Sequence, residues 1–372
     1  MVHLLTLNTG SSSVKFRLFN FDDNLTILAG GKVTDIGGRP QLKVFNGNEN
    51  QSNTSELDPR TTHEQAVTLI IDWLKKQQYD IRAVAHRIVH GGEKFTQPAK
   101  LDSETLTYLH SLESLAPLHQ PHNLSAVNIL KKYHPNLLQF GCFDTAFHAN
   151  HSPLFHEFAL PQNIRNQGVK RYGFHGLSYN WIAHCLQKNY PKLIKGKVVV
   201  AHLGNGASLC ALEKGKSIDT TMGMTALDGL PMGTRCGALD AGAVIYMIRD
   251  LGLSVTEVER LLYNESGLKG LSNLTNDVKS LSKADDINAQ FALNFFSLKT
   301  AQYIAAMTVS LGGLDALIFT GGIGENAENI RAAILKHLSF LPKFEHHVIQ
   351  ANEEHSMAVE ILEHFKKDII DE

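Results

Sequence analysis

The sequence predicts an α/β protein built from two domains of one design, and three observations lead there. A chain of 372 residues, 43% of them hydrophobic, suits two ordinary cores better than one large one. Short apolar, strand-like runs alternate with segments of helical period. And TLNTGSSSVKFRLF near the N-terminus is answered by AHLGNGASLCALEK at 201–214. Each reads as a strand, a turn of glycine, a small residue and serine (Gly10-Ser11-Ser12; Gly206-Ala207-Ser208), and a returning strand. Two such hairpins imply two duplicated domains facing a shared cleft.

In chain order, residues 4–19 form the first hairpin, and strand-like, turn-rich sequence continues to about Gly47. Residues 48–60, NENQSNTSELDPR, read as a polar surface loop. Thr62 followed by Gln65 resembles a capping box, and Ala66, Ile70, Trp73 and Leu74 repeat at helical spacing, so a helix is expected to about Gln78. AVAHRIVHGG is a strand entering a turn. A mixed helical region follows, with LAPLHQPHN as its breaker, and then a second buried strand within LLQFGCFDTAFH, after which a domain boundary is expected near 148. RYGFHGLSYNWIAHCLQ carries a helix, and GKVVVAHLGNGASLCALEKGKS repeats the opening design. The longest helix is expected over Asn288 to Leu311, ended by Gly312-Gly313. It delivers the chain into LDALIFTGGIGENA, a buried strand, a glycine turn and a helix start.

The formal net charge of −2, with basic residues spread along the chain, leaves no footprint for nucleic acid or an anionic membrane surface. The N-terminal apolar run is too short for a signal peptide, and no stretch reaches the length of a membrane span. The four cysteines lack C-x-x-C spacing and read as reduced thiols of a cytoplasmic protein. His86 and His90 have i, i+4 spacing, but in a strand-like run ending in Gly-Gly, and no Cys/His cluster has zinc-ligand spacing. A small-molecule role follows.

A turn of small residues lets backbone N–H groups converge on an anion. Ser11, Ser12 and Ser13 add hydroxyl donors and Lys15 a point charge; the bland alternative is a tight hairpin with surface serines. The second turn, His202-Leu203-Gly204-Asn205-Gly206, favours the anion reading, because two such turns can clasp a polyphosphate from both sides. Gly321-Gly322-Ile323-Gly324-Glu325-Asn326 follows an apolar strand; it is either an ordinary strand-to-helix turn or glycine backbone set against a base or ribose. Neither GxGxxG nor a Walker A pattern occurs. Arg87, Asp144, His175 and Arg235 stand beside glycine or aromatic residues at strand ends. Each alone reads as structural, and together they are the parts for phosphoryl transfer: positive charge around the equatorial oxygens, an in-line nucleophile and a metal holder.

With these motifs in place, the sequence resembles the acetate kinase family over nearly its whole length. The matching segments are LNTGSSSVKF, HRIVHGGEKF, LAPLH, FDTAFH, RYGFHGLSY, AHLGNGASLCALEKGKSIDTTMG, GLPMGTRCG and FTGGIGENA. The resemblance implies two duplicated domains of the ribonuclease H-like (actin-like ATPase) type with the active site in the cleft between them. The first would cover 1–147, rejoined by a C-terminal helix at about 356–372, and the second 148–355. It implies reversible phosphoryl transfer between ATP and acetate, giving ADP and acetyl phosphate, with Mg²⁺ (or Mn²⁺), in a homodimer.

Carried over by motif, Asn8 and Glu353 would hold or orient the metal, and Ser11 and Ser13 would lie near the transferring phosphate. Lys15 and His202, Leu203, Gly204, Asn205 and Gly206 would meet the nucleotide phosphates. Asp277, Val278, Lys279 and Gly322, Ile323, Gly324, Glu325, Asn326 would form the adenosine pocket. Arg87 would bind the acyl carboxylate, with Val89, Leu118 and Phe174 around its methyl group. Asp144 would be the acid/base or metal-linked carboxylate, while His175 and Arg235 would stabilise the phosphoryl in flight.

The chain departs from the family pattern at several points. Ala226 stands where the family has proline beside the methyl pocket, which would loosen selectivity toward propionate, whereas Val89 keeps the bulk of an acetate-sized pocket. Lys279 replaces an arginine, LHQPHN replaces LHNPAN, GTRCGALDAG lacks the first aspartate and the proline of GDIDP, and the chain is shorter before VIQANEE. The alternative acyl substrate is propionate. The alternative of another class is a non-catalytic, actin-like nucleotide-binding module, against which the carboxylate-binding Arg87 argues.

Overall fold

The computed structural model describes residues 2–371; residue 372, the end of the expected C-terminal helix, lies outside them. The chain divides into two units, Met1–Phe147 with Asn352–Glu372, and His148–Ala351.

In the first unit the strands are β1 (His3–Thr9), β2 (Val14–Asn20), β3 (Ile27–Thr34), β4 (Gln41–Asn46), β5 (Asn53–Glu56), β6 (Ile81–Ile88), β7 (Ala99–Lys100) and β8 (Leu138–Phe143). Their spatial order is β5-β4-β3-β2-β1-β6-β8-β7. β1 and β2 are the antiparallel hairpin read from the sequence, with Thr9 opposite Val14, whereas β1, β6 and β8 run parallel. The crossover from β5 to β6 is the helix His63–Lys76, whose capping box forms as expected: the Thr62 side chain accepts from Gln65 N–H and the Gln65 side chain accepts from Thr62 N–H. Its Ala66, Val67, Ile70 and Leu74 join Ala126 and Leu130 of the helix Gln120–Tyr133 against Leu5, Leu7, Phe16 and Leu18 of the sheet. The loop expected over 48–60 contains β5, a wholly exposed edge strand of sequence NTSE. It pairs through its backbone alone, so no apolar alternation marks it.

The second unit repeats the plan with β9 (Lys197–Leu203), β10 (Ala207–Glu213), β11 (Lys216–Thr220), β12 (Ala316–Thr320) and β13 (Glu345–Val348), in the order β11-β10-β9-β12-β13. β9 and β10 are an antiparallel hairpin, and β12 lies parallel to β9 and β13 to β12. The order β3-β2-β1-β6-β8 of the first unit and that of the second are therefore one topology, with the repeated hairpin in the same place. The long helix spans Ile287–Leu311, capped by Asp286 and ended by Gly312 at φ +66. Among the described residues no helix is long and apolar enough to cross a membrane.

Candidate active site

Open α/β sheets bind ligands beyond the carboxyl ends of their parallel strands, because there the loops diverge and backbone groups are left to meet a ligand. In the first unit Asn8 is the next-to-last residue of β1, Arg87 the next-to-last of β6, and Asp144 follows the last residue of β8. Three neighbouring parallel strands thus deliver the three side chains to one place. Glu353, first residue of the helix Glu353–Asp371, completes the group.

Arg87 holds it together. Its Nε donates to Asp144 Oδ1 and Oδ2 at 3.1 and 3.2 Å, and Nη2 donates to Oδ2 at 2.7 Å. Nη1 donates to Glu353 Oε2 at 3.2 Å and reaches Asn8 Oδ1 at 3.4 Å. Asn8 Nδ2 in turn donates to Glu353 Oε2 at 2.9 Å. The Asp144 side chain is 2% exposed, Glu353 14% and Arg87 17%. Burial opposes the charge on Arg87, but the carboxylates of Asp144, Glu353 and Glu354 outweigh it and hold the guanidinium's pKa above its ordinary value.

The loop after β6 is fixed by buried amides that sequence reading did not single out as functional. Val89 N–H donates to Asn123 Oδ1 at 3.0 Å, His90 N–H to Gln120 Oε1 at 3.1 Å, and Gly91 N–H to Thr145 Oγ1 at 3.0 Å. Asn123 Nδ2 also donates to Thr9 O at 2.6 Å, tying this loop to the end of β1. Gln120 and His122 are the two residues by which LHQPHN departs from the family's LHNPAN. The longer arm of Gln120 still reaches the His90 backbone, so that exchange keeps the loop anchored. Val89 is buried and Leu118 half-buried in this unit, whereas Phe174 is buried in the second. In the first turn, Gly10 N–H donates to Ser13 O at 2.8 Å, and Ser11 and Lys15 are exposed with Ser13 half-buried.

In the second unit the same sheet end carries His202, next-to-last in β9, and Gly321 directly after β12. His175 precedes the helix Gly176–Asn189 in the left-handed region (φ +57), an uncommon conformation for a residue with a Cβ. Its ring stacks on His202 with centroids 4.4 Å apart, and its Nδ1 lies 2.8 Å from Ser208 Oγ. Arg235 Nη1 donates to Ala226 O at 2.9 Å. Residue 226 thus acts on Arg235 through its carbonyl, which the exchange of proline for alanine leaves in place. A Cβ placed on Gly206 would lie 3.2 Å from His175 Nε2 and 3.9 Å from Arg235 Nη1, so both side chains face the turn Gly204–Gly206. Asn205 Oδ1 is held by Asn276 Nδ2 at 2.8 Å, and Gly233 leaves room for it, since a Cβ there would sit 2.0 Å away.

The glycine segment after β12 divides its labour. Gly321 has φ +78, and a Cβ on it would meet Leu203 O at 2.8 Å, so it is glycine for packing; Gly322 has nothing within 4 Å and presents an open backbone. The helix starts at Gly321 itself, without a preceding turn. Glu325 Oε1 accepts from Gly321 and Ala351 N–H at 3.0 and 2.9 Å, and Asn326 Nδ2 donates to Gly322 O at 2.8 Å, while Ile323 is half-buried. Asp277 caps a short helix through Ser280 N–H at 2.9 Å and Ser280 Oγ at 2.6 Å, which lowers its pKa; Val278 is buried and Lys279 exposed.

A concavity of about 560 Å³ in the first unit, lined by Lys75, Tyr79, Arg82, Tyr133 and His134 among others, lies by the amino-terminal ends of β6 and β8 and contains none of these residues.

The acetokinase family model matches residues 3–361. The chain belongs to the acetokinase family. It is 44% identical over 344 residues to an acetate kinase of Rhodopseudomonas palustris, covering 91% of this chain and 86% of that one. It is 39% identical over 350 residues to an acetate kinase of Halothermothrix orenii, covering 91% and 87%. Among solved structures it resembles a propionate kinase of Francisella tularensis (TM-score 0.89, 34% identity, 97% of this chain and 99% of that one). It also resembles the acetate kinase of Entamoeba histolytica (TM-score 0.86, 31% identity, 98% and 100%). The two sheets are accordingly duplicated modules of the ribonuclease H-like, actin-like ATPase type, and the family's nucleotide co-substrate is ATP/ADP.

Proposed function

We propose that this chain is an acetate kinase that catalyses reversible, Mg²⁺-dependent transfer of the γ-phosphoryl group of ATP to acetate by direct in-line attack of a carboxylate oxygen, with the P–O bond to ADP breaking. The observation that carries the site assignment is the convergence of Asn8, Arg87, Asp144 and Glu353 at the ends of β1, β6 and β8.

Acetate is already ionised at neutral pH, since a carboxylic acid titrates near ~4. It needs orientation more than a base, and Arg87 is the side chain to orient it. The Nε edge of the guanidinium is taken by Asp144, so the acyl carboxylate would be met from the Nη1 side, in exchange for Glu353 or Asn8. Asp144 then works by fixing Arg87 and supplying negative charge. Val89, Leu118 and Phe174 would line the methyl pocket.

The donor set fits Mg²⁺. Asn8 Oδ1, Asp144 and Glu353 offer hard oxygens, and Mg²⁺ commonly takes only one or two protein carboxylates together with water and substrate phosphate. The ion would neutralise phosphate charge during transfer; Mn²⁺ has the same ligand preferences. Ser11, Ser13, Lys15 and the turn His202–Gly206 would meet the phosphates, Gly322–Asn326 and Asp277–Lys279 the nucleoside, and His175 and Arg235 the equatorial oxygens in flight.

A homodimer is supported by the helix Ala241–Arg249, in which Ile245, Tyr246 and Ile248 are exposed, with Leu239 and Leu251 exposed beside it. Free cysteines, three of them buried, suit a reducing cytoplasm. Propionate is the second reading, favoured by the likeness to the Francisella propionate kinase and by Ala226.

Trapping acyl phosphate as hydroxamate, with acetate, propionate and butyrate side by side, tests the assignment. Acetate is expected to give the highest kcat/KM. A higher value for propionate selects the second reading, and no product from any of the three favours a non-catalytic nucleotide-binding module.

A further inference from the structure

We propose that Tyr179 and Ser208 are positioning residues that fix His175 as the neutral tautomer protonated on Nε2, so that it meets the transferring phosphoryl group as a hydrogen-bond donor beside the permanent charge of Arg235. The inference rests on the reading of His175 given above and adds to it the protonation state and the residues that set it.

The chain of contacts is short and buried. Tyr179 Oη lies 2.5 Å from Ser208 Oγ, and Ser208 Oγ lies 2.8 Å from His175 Nδ1. Tyr179 and Ser208 are both fully buried. A serine hydroxyl carries one proton and can donate only once. Three arrangements are open: Tyr179 donates to Ser208, which donates to His175 Nδ1; the chain runs the other way; or Ser208 accepts from both, which leaves its own buried proton without an acceptor among the described side chains. The Ser208 proton excludes the last, since a buried O–H needs an acceptor, and the tyrosine decides between the other two. Burial pushes its pKa well above the ordinary value, so it keeps its proton, and among the described residues Ser208 Oγ is the hydrogen-bond partner of its hydroxyl. A buried O–H left without an acceptor costs its full desolvation, about 1–3 kcal/mol. Tyr179 therefore donates to Ser208, Ser208 donates to Nδ1, and the ring proton of His175 sits on Nε2. That nitrogen faces the glycine turn, where a Cβ on Gly206 would come within 3.2 Å of it.

The surroundings hold the ring in this pose. Phe174 O, one residue before the left-handed His175, accepts from His148 Nε2 at 3.0 Å. His148 is buried with its pKa pushed down to about 4, so it is neutral. On the other face of the site, Ser178 Oγ lies 2.8 Å from His202 Nδ1 and steadies the ring that stacks on His175. Ser178 and Tyr179 are adjacent in the first turn of the helix that His175 begins, so one helical turn serves both histidines.

The test is ¹⁵N NMR of protein labelled at histidine nitrogens, with steady-state kinetics alongside. In the wild-type protein His175 is expected to show a protonated Nε2 and an unprotonated, hydrogen-bond-accepting Nδ1. Ser208→Ala removes the donor to Nδ1, and Tyr179→Phe deletes one buried oxygen while leaving the aromatic ring, so it guards against a folding failure of the first. Both should shift the His175 signals toward a tautomer mixture. In both, kcat should fall about tenfold or more while KM for acetate and ATP stays within about twofold, as for loss of an aimed transition-state donor. A wild-type His175 protonated on Nδ1, wild-type signals in both variants, or unchanged kcat despite altered signals overturns the proposal. The NMR readout needs no turnover: the expected tautomer in a protein that makes no acyl phosphate would sink the kinase reading while leaving the Tyr179–Ser208–His175 arrangement standing.

Discussion

Replacing Arg235 by alanine should separate catalysis from stability, because the two costs differ in size. In the folded chain the guanidinium donates to Ala226 O at 2.9 Å and to Met232 Sδ at 3.7 Å, and the side chain is half-buried. Losing one such bond costs about 1 kcal/mol of stability. An arginine that meets charge only as it develops on a phosphoryl group is worth about 10³-fold or more in kcat, or ~4 kcal/mol at 1.36 kcal/mol per decade. Arg235→Ala should therefore lower kcat about a thousandfold at saturating acetate and ATP, with KM for acetate within a few-fold and the urea midpoint lowered far less than the ~4 kcal/mol of the rate effect would imply. Arg235→Lys should recover only part of the rate, since a single ammonium cannot hold Ala226 O and face the turn as the planar fork does. Acyl hydroxamate formation and a urea titration on the same preparations read both quantities. Full activity in Arg235→Ala refutes the assigned role, and a rate loss matched by a large stability loss refutes the separation argued here.

Three further outcomes follow from the geometry. Arg87→Ala takes the cation from the buried Asp144 and the half-buried Glu353, so it should cost about 3 kcal/mol in urea unfolding and raise KM for acetate more than it lowers kcat; a silent stability change would contradict the Arg87–Asp144 pairing. Gly206→Ala puts a methyl group 3.2 Å from His175 Nε2, so kcat should fall at least about tenfold with the fold intact by circular dichroism, and normal turnover would show that the turn is not where the phosphoryl passes. Burial pushes the pKa values of His86 and His148 down to about 4 and of His151 to about 3. Between those values and the unfolded value near ~6.5 the unfolded chain binds protons that the native one does not, so this contribution is present above the window and declines as pH falls through it, by up to about 3 kcal/mol each for His86 and His148 and about 5 kcal/mol for His151. The urea midpoint should thus drop steadily from pH 7.5 to pH 5, and a constant or rising midpoint would contradict neutral burial.

The elements most legible in the sequence are those whose local signals agree with their tertiary role. The two hairpins, the Thr62–Gln65 box and the Gly312 terminus fall where turn chemistry, capping and periodicity point together. β5 escaped because an exposed edge strand of NTSE needs only its backbone to pair. The site was legible as residue types beside strand ends, and Asn8, Arg87 and Asp144 come together because β1, β6 and β8 are parallel neighbours, which no spacing in the chain announces. Arg87 meets Asp144 across 57 positions and Glu353 across 266. Gln120, Asn123, Ser178, Tyr179 and Ser208 are ordinary polar residues in sequence, and only their burial beside the loop after β6 or the rings of His175 and His202 gives them meaning. For Ser208 a faint signal existed, since it closes the second of the two repeated turns.

The central claim is that the γ-phosphoryl group of ATP passes to a carboxylate oxygen of acetate. Incubating the protein with ATP, Mg²⁺ and acetate labelled with ¹⁸O in both oxygens, and following ³¹P NMR, tests it most directly. The account predicts acetyl phosphate whose phosphorus resonance carries the isotope shift of a bridging ¹⁸O. Unshifted acetyl phosphate, or ATP consumption that yields only inorganic phosphate, would contradict it.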